Sequence, residues 1–76
     1  MVKKKKIKVL IVDDSFFMKK LLRELLSSDS SIEVVGEAKT GSEAIGETLR
    51  LKPDVITMDY NMPGMTGAEA IRTIIN

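Results

Sequence analysis

The 76 residues carry 43% hydrophobic and 30% charged side chains, the proportions of an ordinary soluble globule, and their number admits one small domain. With no Cys and no His, disulfide frameworks, thiolate chemistry, imidazole ligation of metals and Ser-His-Asp triads are excluded, which leaves carboxylates, hydroxyls, Lys, Arg and backbone for chemistry. The net charge of +1 is unevenly spread: Lys3, Lys4, Lys5, Lys6 and Lys8 crowd the first eight residues, and taking those five from +1 leaves the remainder at −4.

The lysine run has no interleaved aromatics or Arg, so residues 1–6 read as a basic, poorly ordered, solvated chain end rather than a nucleic-acid arm. No apolar run approaches the ~20 residues that span a bilayer, and no signal-peptide pattern is present. A cytoplasmic location is expected, with neither membrane nor nucleic acid as partner.

In chain order, "IKVLIV" at 7–12 is a β-branched, nearly unbroken apolar run, the mark of a strand buried on both faces of a parallel sheet. It runs into Asp13, Asp14 and Ser15, any of which suits a helix cap, and Met18, Leu21, Leu22, Leu25 and Leu26 then form one helical stripe. This predicts a helix of about fourteen residues, closed by the polar cluster "SSDSS" at 27–31. "IEVVGEA" at 32–38 predicts a second strand, which Glu33 and Glu37 suit to a sheet edge. A Ser42 cap with Ala44, Ile45, Thr48 and Leu49 predicts a second helix, weakened by Gly46 by roughly 1 kcal/mol relative to Ala. "DVITMD" at 54–59 follows Pro53 as a third strand, and after the loop "YNMPGMTG" a third helical stripe is formed by Ala68, Ile71, Ile74 and Ile75.

Alternating strands and helices with short connections predict an α/β fold with a parallel sheet wound by right-handed crossovers. Ligands of such sheets bind outside the carboxyl ends of the strands, where the winding reverses. Asp13 and Asp14 end the first strand and Asp59 ends the third, so adjacent strands would gather three carboxylates at one edge. Two unit charges about 4 Å apart repel by about 4 kcal/mol at an effective dielectric of about 20, so the cluster needs a proton or a cation. Oxygen-only ligands favour Mg2+, then Mn2+ or Ca2+, and an Asp beside such an ion is a nucleophile for phosphoryl transfer. Taken singly, the same acids also suit helix caps and turns.

The stretches "VLIVDDSFFMKKLLRELL", "VVGEAKTGSEAI" and "PDVITMDYNMPGMTGAEAI" resemble the receiver domain of two-component response regulators, most closely the receivers of chemotaxis methylesterases and related chemotaxis regulators. The resemblance covers residues 7–76 without a gap. It implies that Asp59 accepts the phosphoryl group, with Asp13 and Asp14 as the acidic pair that holds Mg2+. It also implies that Asn61 offers its backbone carbonyl to the metal, that Met62, Pro63 and Gly64 turn the chain back, and that Gly67 lies where the third helix begins. A sensor histidine kinase is the implied phosphodonor, and no enzymatic activity is expected beyond phosphorylation and dephosphorylation at Asp59 itself.

Receivers have five β/α units, with a switch Ser or Thr after the fourth strand and a Lys after the fifth, and these 76 residues provide three such units. Thr57 and Lys52 are not placed to substitute, and Lys39 and Thr40 match no site of the family. The resemblance therefore implies a single truncated domain over residues 1–76, half of a flavodoxin-like doubly wound fold, with a three-stranded parallel sheet in the order 2-1-3 and three helices. Because so small a domain buries only about 60% of its unfolded surface, and Val55, Ile56 and Met58 sit on the last strand's edge, completion by homodimerisation is expected. The alternative is a self-associating structural half-domain in which the acidic site is only inherited. A phosphatase of the haloacid-dehalogenase type is disfavoured because Asn61 stands where that signature has a second Asp.

Overall fold

The computed structural model describes residues 5–58. Strand β1 (Ile7–Val12) forms where the apolar run was read, and its residues Val9, Leu10, Ile11 and Val12 are all at most 3% exposed. Burial on both faces of one strand is the condition that such a run satisfies. Strand β2 (Ile32–Ala38) and strand β3 (Val55–Met58) pair with β1 in parallel on either side, giving the order β2-β1-β3. The expected sheet order and the placement of β2 at an edge are both observed. The third helical stripe at Ala68–Ile75 lies outside the described residues.

Helix α1 (Phe16–Ser27) is twelve residues long, two shorter than expected, because Ser15 and neither aspartate is the N-cap. The Ser15 hydroxyl accepts from the Met18 N–H at 3.2 Å. Its apolar stripe is only partly covered: Leu22 and Leu26 are half-buried, while Met18, Leu21 and Leu25 are 39, 37 and 60% exposed. Helix α2 (Gly41–Leu51) starts two residues earlier than a Ser42 cap would allow, since Thr40 is the cap. Thr40 has extended backbone (φ −137°) and its hydroxyl accepts from the Glu43 N–H at 3.1 Å, while the Glu43 carboxylate accepts from the Lys39 N–H at 3.0 Å. Two orphan donors of the first turn and its approach are thereby satisfied. Of the expected α2 stripe, Ala44 is fully buried but Leu49 is 74% exposed.

Leu10 and Val12 form a core cluster with Ala38 and Ala44, against which Leu51, Ile56 and Met58 pack. Val9 and Ile11, offset by one residue, are buried on the opposite face. The crossover β1-α1-β2 moves one way along the sheet and β2-α2-β3 moves back past β1, so connections of one hand put α1 and α2 on opposite faces. A bulge adapts β2 to this packing: Val9 faces Val34 and Leu10 faces Gly36, leaving Val35 as the extra residue. A Cβ on Gly36 would lie 2.6 Å from Leu51 Cδ1, so the missing side chain lets α2 close on the sheet.

Candidate functional site at the β1/β3 switch point

With β2 and β3 on opposite sides of β1, the winding reverses between β1 and β3, and their carboxyl ends flank the crevice where α/β sheets bind ligands. The register pairs Val12 with Met58, so both strands end level. At that end a cavity of about 180 Å³ is lined by Val12 and Asp13 from β1 and its exit, Thr57 and Met58 from β3, and Leu22 from α1.

Asp13 is half-buried and held at two points. Its N–H donates to the Ala38 carbonyl at 3.0 Å, extending the β1–β2 ladder by one residue. Its Oδ1 accepts from the Ser15 N–H at 2.9 Å, a turn that aims Ser15 at the first turn of α1. Oδ2 receives no hydrogen bond among the described residues and so keeps its acceptor capacity. Asp14 is exposed, and its carboxylate has no hydrogen-bond partner among the described residues. Caps and turns thus account for one oxygen of Asp13 and for no part of Asp14, and of the three candidate caps of α1 it is Ser15 that serves.

The available donors are carboxylate oxygens, which suit a hard divalent cation such as Mg2+, an ion that uses one or two carboxylates and keeps water. Among the described residues no group of three acids is assembled. Asp59, the expected third acid, lies outside the described residues, as do Asn61, Met62, Pro63, Gly64 and Gly67. On β3, Val55 is 47% exposed, while Ile56 and Met58 pack against the core cluster. Lys39 and Thr40 are engaged at the α2 N-terminus. Thr57 was not singled out for the site, yet its hydroxyl is buried without a hydrogen-bond partner among the described residues, and the residue borders the same cavity as Asp13. The signal for it in the sequence is a polar residue inside the apolar run "VITM".

No helix among the described residues is long and apolar enough to cross a membrane. The family model described as the response regulator receiver domain matches residues 9–76. Protein-glutamate methylesterase/protein-glutamine glutaminase 2 of Pseudomonas fluorescens is 58% identical over 69 residues, which are 91% of this chain and 18% of that protein. The corresponding protein of Pyrococcus horikoshii is 51% identical over 71 residues, 93% of this chain and 19% of its own. The chain thus spans under a fifth of the length of these curated relatives. Among solved structures, the response regulator domain of Thermotoga maritima CheB superposes with a TM-score of 0.91 at 48% identity, over 93% of this chain and 53% of that one. CheY in the CheX–CheY–BeF3–Mg2+ complex from Borrelia burgdorferi has a TM-score of 0.82 at 32% identity, over 91% of this chain and 52% of that one. These relatives correct one expectation from the sequence, that no enzyme is involved beyond chemistry at Asp59 itself: the curated relatives are methylesterases and glutaminases.

Proposed function

The chain belongs to the response regulator receiver domain family, and on that premise we propose that it is a phosphoryl-accepting signalling module in which Asp59 takes the phosphoryl group and Asp13 and Asp14 hold Mg2+. The observation that carries this proposal is the level pairing of Val12 with Met58 at the switch point, because the residues next in sequence are Asp13 on one strand and Asp59 on the other. Asp13 Oδ2 and the exposed Asp14 carboxylate supply oxygen ligands, and the backbone carbonyl of Asn61 is the proposed further one. The Borrelia CheY complex, which contains both BeF3 and Mg2+, supports a magnesium-dependent site in a relative of the same fold.

A sensor histidine kinase is the proposed donor. An Asp59 carboxylate oxygen bonds to phosphorus as the bond from phosphorus to the donor's imidazole nitrogen breaks, and the freed ring takes a proton from solvent. Held by Asp13 and Asp14, Mg2+ would supply positive charge that offsets the negative charge of the transferred group. Met62, Pro63, Gly64 and Gly67 form the proposed loop beyond the acceptor. The identity to methylesterases makes this span the proposed input module of a cytoplasmic chemotaxis enzyme of that type. These comparisons favour the signalling module over a purely structural half-domain.

Incubation with Mg2+ and a small acyl-phosphate donor, followed by intact mass measurement, is expected to show one phosphoryl adduct per chain that is absent from Asp59→Asn. An adduct that persists in Asp59→Asn overturns the assignment. Self-association of the 76-residue chain belongs to the same proposal, since Phe16, Phe17, Leu25 and Val55 are 78, 71, 60 and 47% exposed. Sedimentation equilibrium is expected to show a dimer, and a monomer at micromolar concentration removes that part.

A further inference from the structure

Lys39 is rooted beside the acidic end of β1. Val12 pairs with Ala38 in the β1–β2 register, and the Asp13 N–H donates to the Ala38 carbonyl at 3.0 Å, so Asp13 and Lys39 are the next residues of adjacent, still-bonded chains. Neighbouring strands lie about 4.8 Å apart, which sets the spacing of the two backbones there. Ala38 belongs to the core cluster with Val12 and Ala44 on the α2 face, and the residues on either side of it alternate to the α1 face. Glu37 bears this out, since its carboxylate is paired with Arg23 of α1. Asp13, which lines the switch-point cavity together with Leu22 of α1, is on that same face.

The backbone of Lys39 is held, but its charge is uncommitted. Its N–H donates to the Glu43 carboxylate at 3.0 Å, and the next residue, Thr40, caps α2. Lys39 is exposed, and its ammonium is in neither of the two ion pairs found among the described residues. Across from it, Asp13 Oδ2 and the whole Asp14 carboxylate have no hydrogen-bond partner among the described residues. The acids nearest to Lys39 are already engaged, Glu37 by Arg23 and Glu43 by the Lys39 N–H itself. A flexible stem carrying a compact, strongly hydrated charge acts on the two aspartates through space, over the ~10 Å at which charges still sense one another in about 0.1 M salt.

We propose that Lys39 is the built-in counter-charge of the acidic edge: it offsets the repulsion between Asp13 and Asp14 in the metal-free chain and competes with the divalent cation, so that it sets the affinity of the site. The inference rests on the proposed role of those two acids as metal ligands. Its consequence is a site that binds the cation more weakly than the carboxylates alone would. A unit charge about 7 Å from a divalent ion, in water and screened by about 0.1 M salt, changes the dissociation constant about threefold.

Calorimetric titration of the 76-residue chain with Mg2+ alone tests this, using Lys39→Gln, Lys39→Arg and Lys39→Glu. Because Lys39 is exposed and bonded only through its backbone, all three variants are expected to keep the parental circular dichroism spectrum. The dissociation constant is expected to fall about threefold in Lys39→Gln and roughly tenfold in Lys39→Glu, with Lys39→Arg within about 1.5-fold of the parent. In about 1 M salt, where the Debye length is about 3 Å, the gap between Lys39→Gln and the parent is expected to close. A merely structural part for Lys39 would give neither the ordering by charge nor its loss in salt. Parental or weaker affinity in Lys39→Gln overturns the proposal, as does a gap that persists in about 1 M salt or a Lys39→Arg that behaves like Lys39→Gln. The double variant Asp13→Asn with Asp14→Asn separates the two levels: if it binds Mg2+ as the parent does, the metal role of the acids fails and the role of Lys39 with it. If it binds weakly while Lys39→Gln matches the parent, only the inference about Lys39 fails.

Discussion

Asp54 and Lys8 clasp one another across the start of the β1–β3 pair: the Lys8 N–H donates to the Asp54 carboxylate at 2.8 Å, and the Asp54 N–H donates to the Lys8 carbonyl at 2.8 Å. The contact spans 46 residues of chain and lies at the end of the strands opposite the acidic site. It therefore sets the register that brings Val12 level with Met58.

Asp54→Ala removes the side-chain half of this clasp and leaves the backbone half. One hydrogen bond of an exposed carboxylate contributes about 1 kcal/mol, which in a domain of this size lowers Tm by about 4–8 °C. Asp54→Asn keeps an acceptor oxygen and is expected to lose less than half as much. Thermal melts followed by circular dichroism decide it, and equal losses in the two variants would show that charge, not the acceptor, is what matters.

At Gly46 the sequence and the structure agree on a remediable weakness. It lies inside α2, and a Cβ added there meets nothing within 4 Å. Gly46→Ala is expected to stabilise by about 0.5–1 kcal/mol, through the reduced freedom of the unfolded chain. Gly36→Ala, in contrast, would push Leu51 off the sheet and is expected to destabilise by about 1–3 kcal/mol. Urea titration of both variants gives the two opposite shifts in midpoint, and a gain at Gly36 would mean that Leu51 moves aside freely.

The turn between α1 and β2 carries a pH dependence of known sign. Asp29 accepts from the Ser31 hydroxyl at 2.7 Å and from the Ser31 N–H at 2.9 Å, and these bonds to the charged form lower its pKa below the ordinary aspartate value. A depressed folded-state pKa adds stability that is present above the unfolded value and is lost as pH falls through the folded one. Stability is thus expected to decline below about pH 4, and Asp29→Asn should flatten that decline by lowering the neutral-pH melt towards the acid one. Melts in a pH series check it, and an identical acid limb in Asp29→Asn would assign the decline to other carboxylates.

What the sequence made legible follows from which signals are local. The apolar run 7–12 has one physical use, burial on both faces, and β1 occupies those residues. The edge place of β2 was legible in Glu33 and Glu37, which a central strand would have to bury, whereas the order 2-1-3 came from the resemblance to receivers. Caps were less legible because Asp13, Asp14 and Ser15 all accept from amides, and Thr40 competes with Ser42; only the backbone path selects Ser15 and Thr40. The bulge at Val35 and the left-handed Lys52 (φ 49°) left no mark in the composition. Nor did the place of Thr57 beside Asp13 at the cavity, which depends on the pairing of β3 with β1 rather than on its own strand.

The two adjacent acids should separate when stability and metal binding are measured together. Asp13 is tied to Ser15 and through it to the start of α1, whereas Asp14 is exposed and makes no such bond. Asp13→Ala therefore loses both the turn and a metal ligand, and is expected to cost about 1 kcal/mol in metal-free buffer. Asp13→Asn preserves the acceptor for the Ser15 N–H, and Asp14→Asn touches no fold contact, so both should stay within about 0.5 kcal/mol of the parent without metal. Mg2+ at about 100 times its dissociation constant stabilises the parent by about 2.7 kcal/mol, because only the folded chain holds the acids together. That increment, read as the rise in Tm between chelator and Mg2+, is expected to shrink by more than half in each of the three variants. A Mg2+-dependent rise of parental size in Asp14→Asn would leave Asp13 as the only ligand of the pair, and a parental rise in Asp13→Asn would move the cation away from the β1/β3 switch point altogether.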